Sequence, residues 1–156
     1  MTTIVDRTGI RLAIIDCINE VSATTFDTDA TKVTAFYSHP GDELPDRAIV
    51  AGEMTGTQNL VTFGGPRPGR QDNCTLALGF VAYGYPTPEA GLAVVQAMVD
   101  MACEALFVSP FIDGHIANAE LSPGRLDGPN AFPDSGDSLV CEAVLEVNAL
   151  VTTTAS

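Results

Sequence analysis

The sequence predicts an α+β fold: two main helices packed on a mainly antiparallel β-sheet, with a long C-terminal strand. Three observations predict it. Residues 74–83, Cys-Thr-Leu-Ala-Leu-Gly-Phe-Val-Ala-Tyr, are apolar or small on both alternating faces, as in a strand covered on both sides. Residues 87–106 contain no lysine or arginine, and their apolar arc is interrupted only by a narrow stripe of Glu89, Gln96 and Asp100, with Glu104 at its edge. Residues 138–154 alternate: Leu139, Cys141, Ala143, Leu145, Val147 and Ala149 face one side without a polar exception. Val140, Glu142, Val144, Glu146, Asn148 and Leu150 face the other.

In chain order, residues 3–23 read as the first helix, with a loose capping box at Thr3-Ile-Val-Asp6. Ile10, Ile14, Cys17, Ile18 and Val21 form its apolar stripe, and Asp16, Asn19 and Glu20 lie opposite. Leu12 and Ile15 fall on the flank, where either a broad core face or a second contact surface accounts for them. A polar turn at residues 24–31 leads to a short strand at 32–37 and a breaker-rich loop at 39–46. Residues 47–54 and 59–63 read as two strands of a hairpin around the turn Thr55-Gly56-Thr57-Gln58. Residues 64–70 form a Gly/Pro loop carrying Arg67 and Arg70.

Gly84-Tyr85-Pro86 stops the strand that follows, because proline cannot donate to a ladder. Thr87-Pro88-Glu89 then supplies an N-cap hydroxyl, a proline at the first helical position and an acid at the positive end of the dipole. So apolar a helix needs cover on two sides. A sheet and another helix of the same chain provide it in one reading, and a second copy of the chain provides part of it in the other. Gly91 and the alanines Ala90, Ala93 and Ala97 leave room for a close backbone. Residues 107–137, rich in Pro, Gly, Asp and Asn, read as a long surface loop with a short edge strand near 116–121. The last strand exceeds the usual length of about five or six residues, and a strand that overshoots its sheet can pair outside it.

The totals describe one domain spanning residues 1–156: 46% hydrophobic and 17% charged residues suit a folded chain with a real core, and leave little charged surface to keep copies apart. A net charge of -13 opposes tight nucleic-acid binding and docking on an anionic membrane. The absence of a run of about 20 uninterrupted apolar residues predicts no membrane-spanning helix, and Asp6, Arg7 and Asp16 make the N-terminus unlike a secretory signal. The four cysteines, at 17, 74, 103 and 141, occupy apolar slots and read as buried free thiols of a reducing compartment.

Motifs for catalysis are missing. There is no Gly-x-Ser-x-Gly elbow, no P-loop, no Cys-x-x-Cys and no His-x-x-x-His. His39 and His115 lie in loops, where a zinc site with a buried cysteine is a weaker reading than solvated surface. Asp127, Asn130, Asp134 and Asp137 have oxygen ligands enough for calcium but lack EF-hand spacing, and turn chemistry explains them. Glu142 and Glu146 share a strand face without a nearby His or Lys motif, which fits a solvated or lumenal coating better than acid–base work. No cofactor and no metal is expected.

The order of these elements resembles the tail terminator proteins of long-tailed, siphovirus-type bacteriophages, particularly those infecting GC-rich actinobacteria. The resemblance runs from about Ile10 to Thr154. It is carried by the helix at the start, the strand Leu76-Ala-Leu-Gly-Phe-Val-Ala-Tyr83, the helix Glu89-Ala-Gly-Leu-Ala-Val-Val-Gln-Ala-Met-Val-Asp100 and the strand Asp137-Ser-Leu-Val-Cys-Glu-Ala-Val-Leu-Glu-Val-Asn-Ala-Leu-Val151. It implies a virion protein made in the host cytoplasm, not an enzyme. Such a protein forms a homo-oligomeric ring, typically of six copies, that caps the tail tube, ends its polymerisation and meets the head-side connector or stopper. DNA only passes through the lumen. On this implication Glu142 and Glu146 are candidate lumen-facing residues, and Leu12, Ile15, Leu145, Val147 and Val151 are candidate subunit-interface residues. Two other readings stand beside it: a different neck protein (head–tail connector or stopper), and a small enzyme or ligand-binding domain using the loop acids with His39 or His115.

Overall fold

A computed structural model describes residues 7–28, 30–41, 43–62, 68–107, 111–112, 119–134 and 136–154. The elements are α1 (Arg7–Thr25), β1 (Thr34–Phe36), β2 (Arg47–Thr62), β3 (Pro68–Tyr85), α2 (Pro88–Phe107), β4 (Phe111–Ile112), β5 (Ala119–Pro133) and β6 (Leu139–Thr154). The strands form a six-stranded sheet in the order β1-β2-β3-β6-β5-β4. Every pairing is antiparallel except β1 with β2, so the α+β architecture with a long last strand is observed.

Both helices lie on one face of the sheet. α2 packs against β3, β5, β6 and α1, so the cover that its apolar arc demands comes from the same chain. Its 20 residues and mean hydropathy of 1.5 would suit a membrane span by length and composition, although no uninterrupted apolar run marks it. Here Val95, Met98, Val99, Met101, Ala102 and Leu106 pack into the core with Leu78, Phe80 and Leu145 of the sheet. Thr87 Oγ1 accepts the Ala90 amide at 3.4 Å, the expected N-cap. Gly91 sits where an added Cβ would strike the Cys141 sulfur and crowd the Tyr85 ring, so glycine sets how closely α2 approaches β6. The other small residues, Ala90, Ala93 and Ala97, face solvent.

Four expectations change. First, residues 47–62 do not fold back on themselves. They form one strand whose hairpin partner is β3, in unbroken register from Met54↔Leu76 to Thr62↔Pro68. The polar tetrapeptide at 55–58 lies at an exposed sheet edge, where strand geometry tolerates it without a turn. Second, residues 119–133 are strand, not loop. β4 covers only Ala119 and Glu120, so most of β5 is an edge, the position where proline is tolerated. Bulges at Pro123/Leu126 and Asp127/Asn130 absorb the remaining breakers.

Third, β6 does not overshoot its sheet. It is interior, paired with β3 along its whole length and with β5 as far as Val151. Leu145, Val147 and Val151 point to the helix side and are buried within the chain, so they build the core and are not a subunit interface. Fourth, Ile15 is buried too. α1 lies against both β1 and α2, and this widens its covered face to Ile10, Ile14, Ile15, Ile18 and Ser22. Cys17 and Val21 are half-buried at its margin.

Candidate functional site

The helices leave the second face of the sheet bare. Along β6 it carries Val140, Glu142, Val144, Glu146, Asn148 and Leu150, because their alternating neighbours are buried on the helix side. Register places Tyr83, Val81, Gly79, Ala77 and Thr75 of β3 beside them on one flank. Asn130 and Phe132 of β5 lie on the other flank, opposite Glu142 and Val140. Phe132 is 47% exposed, Val144 41% and Leu150 38%, an unusual density of large apolar side chains on an open sheet. Glu142 is exposed and Glu146 half-buried. Both candidate lumen residues therefore lie on this bare face, as the alternation predicted. Of the candidate interface residues only Leu12, 42% exposed on α1, remains at the surface.

One end of the bare face is electronegative. Burial, and then the carboxylates of Glu142, Asp134 and Glu43, push the Tyr83 phenol above its ordinary pKa, so it stays neutral. At the other end is a shallow hollow of ≈ 460 Å³ lined by Gly56, Thr57, Asn73, Thr75, Ser122, Asn148 and Leu150. Its polar groups are neutral hydroxyls and amides, and Thr75 Oγ1 with Asn148 Oδ1 already forms a 2.8 Å hydrogen bond. A second hollow of ≈ 410 Å³ lies at the C-terminal end of α1, around Asn19, Ser22, Phe26, Asp27 and Lys32. Asn19 is already bonded to Ala35 of β1 there, and Ser22 to the carbonyl of Val33 just before that strand. Neither hollow brings a nucleophile to a base.

The remaining candidates do not converge. Among the described residues no three His, Cys, Asp or Glu side chains come together as a metal set. His39 is exposed, and its Nδ1 accepts the Gly41 amide at 3.1 Å. His115 lies outside the described residues, as does Arg67. Asp127 pairs at 3.0 Å with Arg125, and Asp134 and Asp137 are exposed. All four cysteines are free, and burial pushes each thiol above its ordinary pKa, which disfavours the reactive thiolate.

One feature escaped sequence reasoning. Asp72 is fully buried, and its carboxylate receives Nε of Arg7 at 2.8 Å and Nη2 at 2.9 Å. That two-pronged bond raises the Arg7 pKa, and it pins the start of α1 to the far end of β3. The signal was present: position 72 is in phase with Cys74, Leu76, Leu78 and Phe80, all inward-facing. No protein-family model matches this chain, and no curated protein matches it.

Proposed function

We propose that this protein is a structural, ring-forming virion component of a phage neck, acting as a tail terminator. Copies of the chain, six on the resemblance, close into a ring that caps the tail tube, stops its growth and presents a surface to the head-side connector or stopper. The observation that carries the proposal is the one-sided build. Two helices cover one sheet face, while the other displays Phe132, Val144 and Leu150 among carboxylates. Of that apolar area, Phe132 on β5 lies toward the margin of the sheet, where burial against a neighbouring subunit matches it.

In this arrangement the bare face turns toward the ring axis and Glu142 and Glu146 line the lumen. With a net charge of -13, such a wall repels the phosphate backbone and lets DNA slide without sticking. Leu12 on α1 and Phe132 on β5 lie on elements at opposite margins of the sheet, as head-to-tail ring contacts require. No step of this role calls for a cofactor, an enzyme reaction or a membrane.

The test is the mass of the purified protein in solution and negative-stain images, alone and with tails built from the cognate tube protein. Rings seated on tube ends are expected. A chain that stays monomeric and also fails to bind tails overturns the proposal. Rings found only on the connector, never on the tube, reassign the protein to another neck position.

A further inference from the structure

A sheet edge is a row of unpaired backbone donors and acceptors, and folded proteins normally close it. Here the β1 edge is closed by side chains of α1. Asn19 donates to the Ala35 carbonyl at 3.0 Å and accepts the Ala35 amide at 2.9 Å, Ser22 Oγ donates to the Val33 carbonyl at 2.7 Å, and Arg11 donates to the Tyr37 carbonyl at 3.2 Å. The β5 edge is closed by its own chemistry: Pro123, Pro129 and Pro133, two bulges, and the charged pair Arg125–Asp127.

The outer side of β2 has no such device. β1 pairs with Ala48, Ile49 and Val50 and then ends. A bulge follows between Ala51 and Met54, beside exposed Glu53. From residue 54 to residue 62 the strand runs in regular register with β3 on its inner side. Among the described residues nothing pairs with its outer side. The run Met-Thr-Gly-Thr-Gln-Asn-Leu-Val-Thr contains no proline and no charged residue, in a chain with a net charge of -13. At about 3.3 Å per residue it offers roughly 30 Å of continuous edge.

We infer that this β2 edge pairs antiparallel with the β2 edge of a second copy, about a two-fold axis. The occupant follows from what a second copy offers. Its β1 edge is already bonded to its own α1, and its β5 edge lacks amide protons at the prolines and is broken by bulges. Among the described residues its β2 edge alone supplies a run of matching length. Two such edges are neutral, so they meet without the like-charge repulsion that opposes contact elsewhere between two molecules of charge -13. The pairing is self-complementary, as an isologous contact must be. It is independent of the ring proposal, whose contacts are head-to-tail.

Thr55 and Thr57 are exposed on this edge, so Thr55→Lys with Thr57→Lys places lysines along it without touching the core. The full-length chain and this double variant are compared by sedimentation equilibrium over a wide concentration range, with backbone hydrogen exchange at high and low concentration. The expected result for the unaltered chain is a reversible two-fold association whose formation slows exchange across residues 54–62. The double variant keeps its melting curve and weakens the association by about tenfold or more. Because the lysines reduce net negative charge, a merely electrostatic association would strengthen instead, and that outcome overturns the inference. So does an unaltered chain with no concentration-dependent protection at 54–62. Ser122→Lys on exposed β5 is the control, and loss of association there equal to the loss at β2 also overturns it.

Discussion

The two long edges of this sheet meet the same physical liability and treat it in opposite ways. β5 carries three prolines and two bulges, which remove donors and bend the strand away from a new neighbour. β2 beyond its own bulge carries none of these, and its sequence there is neutral and regular. At the β2 end of the sheet, the short β1 edge is closed by neither route: α1 lays Asn19, Ser22 and Arg11 along it, with Arg11 also 5.4 Å over the Tyr37 ring. The lesson is that an edge can be closed by its own residues, by a distant helix or by another molecule. Only the first is visible in the strand itself.

The strongest way to break the comparison is to release α1, the element that closes the β1 edge and also holds the far end of β3. Arg7→Met strands the buried Asp72 carboxylate, and a loss of about 3 kcal/mol is expected in urea unfolding. Adding Asp72→Leu to that variant should recover most of the loss; if the single change costs under about 1 kcal/mol, α1 is not anchored there.

Next in size is the β2–β3 contact on the open edge. A Cβ at Gly56 would lie 2.6 Å from the Asn73 carbonyl oxygen and 2.7 Å from the Cys74 Cα. Gly56→Val should therefore cost about 2 kcal/mol, while Gly52→Ala, 3.5 Å from its nearest neighbour, stays within about 1 kcal/mol. Thermal melts of the pair separate a clash from a general glycine effect.

Asn19→Ala sharpens the contrast at the β1 edge. It removes both bonds to Ala35, so about 1–2 kcal/mol and faster hydrogen exchange at the Ala35 amide are expected. The smallest effect belongs to β5. Arg125→Ala deletes a salt bridge whose side chains are 73% and 57% exposed, and a change within about 0.5 kcal/mol is expected. A larger loss would mean that the ion pair, not the prolines, keeps this edge in place.

Much of this was legible. The strand at 74–83, the N-cap at Thr87 and the alternation at 139–151 each rest on nearest-neighbour geometry, and each appears where read, but the cover expected on both faces of 74–83 comes from the helices on one face only. Glu142 and Glu146 were placed on one face for the same reason. The misreadings share a cause as well. Pro and Gly at 119–133 are breakers in an interior strand but acceptable at an edge, and sequence does not say which strand lies at the edge. Leu145, Val147 and Val151 looked surplus until both helices were laid over them.

Local pattern by itself determined the two helices, the strands β3 and β6 with their inward and outward residues, and the strongly acidic character. Those follow from periodicity and composition, which act within a few residues. Tertiary structure alone decided strand order, which edges are closed, and that Arg7 meets Asp72 across 65 positions of chain. Such contacts depend on how elements are brought together in space, and no short-range pattern encodes that.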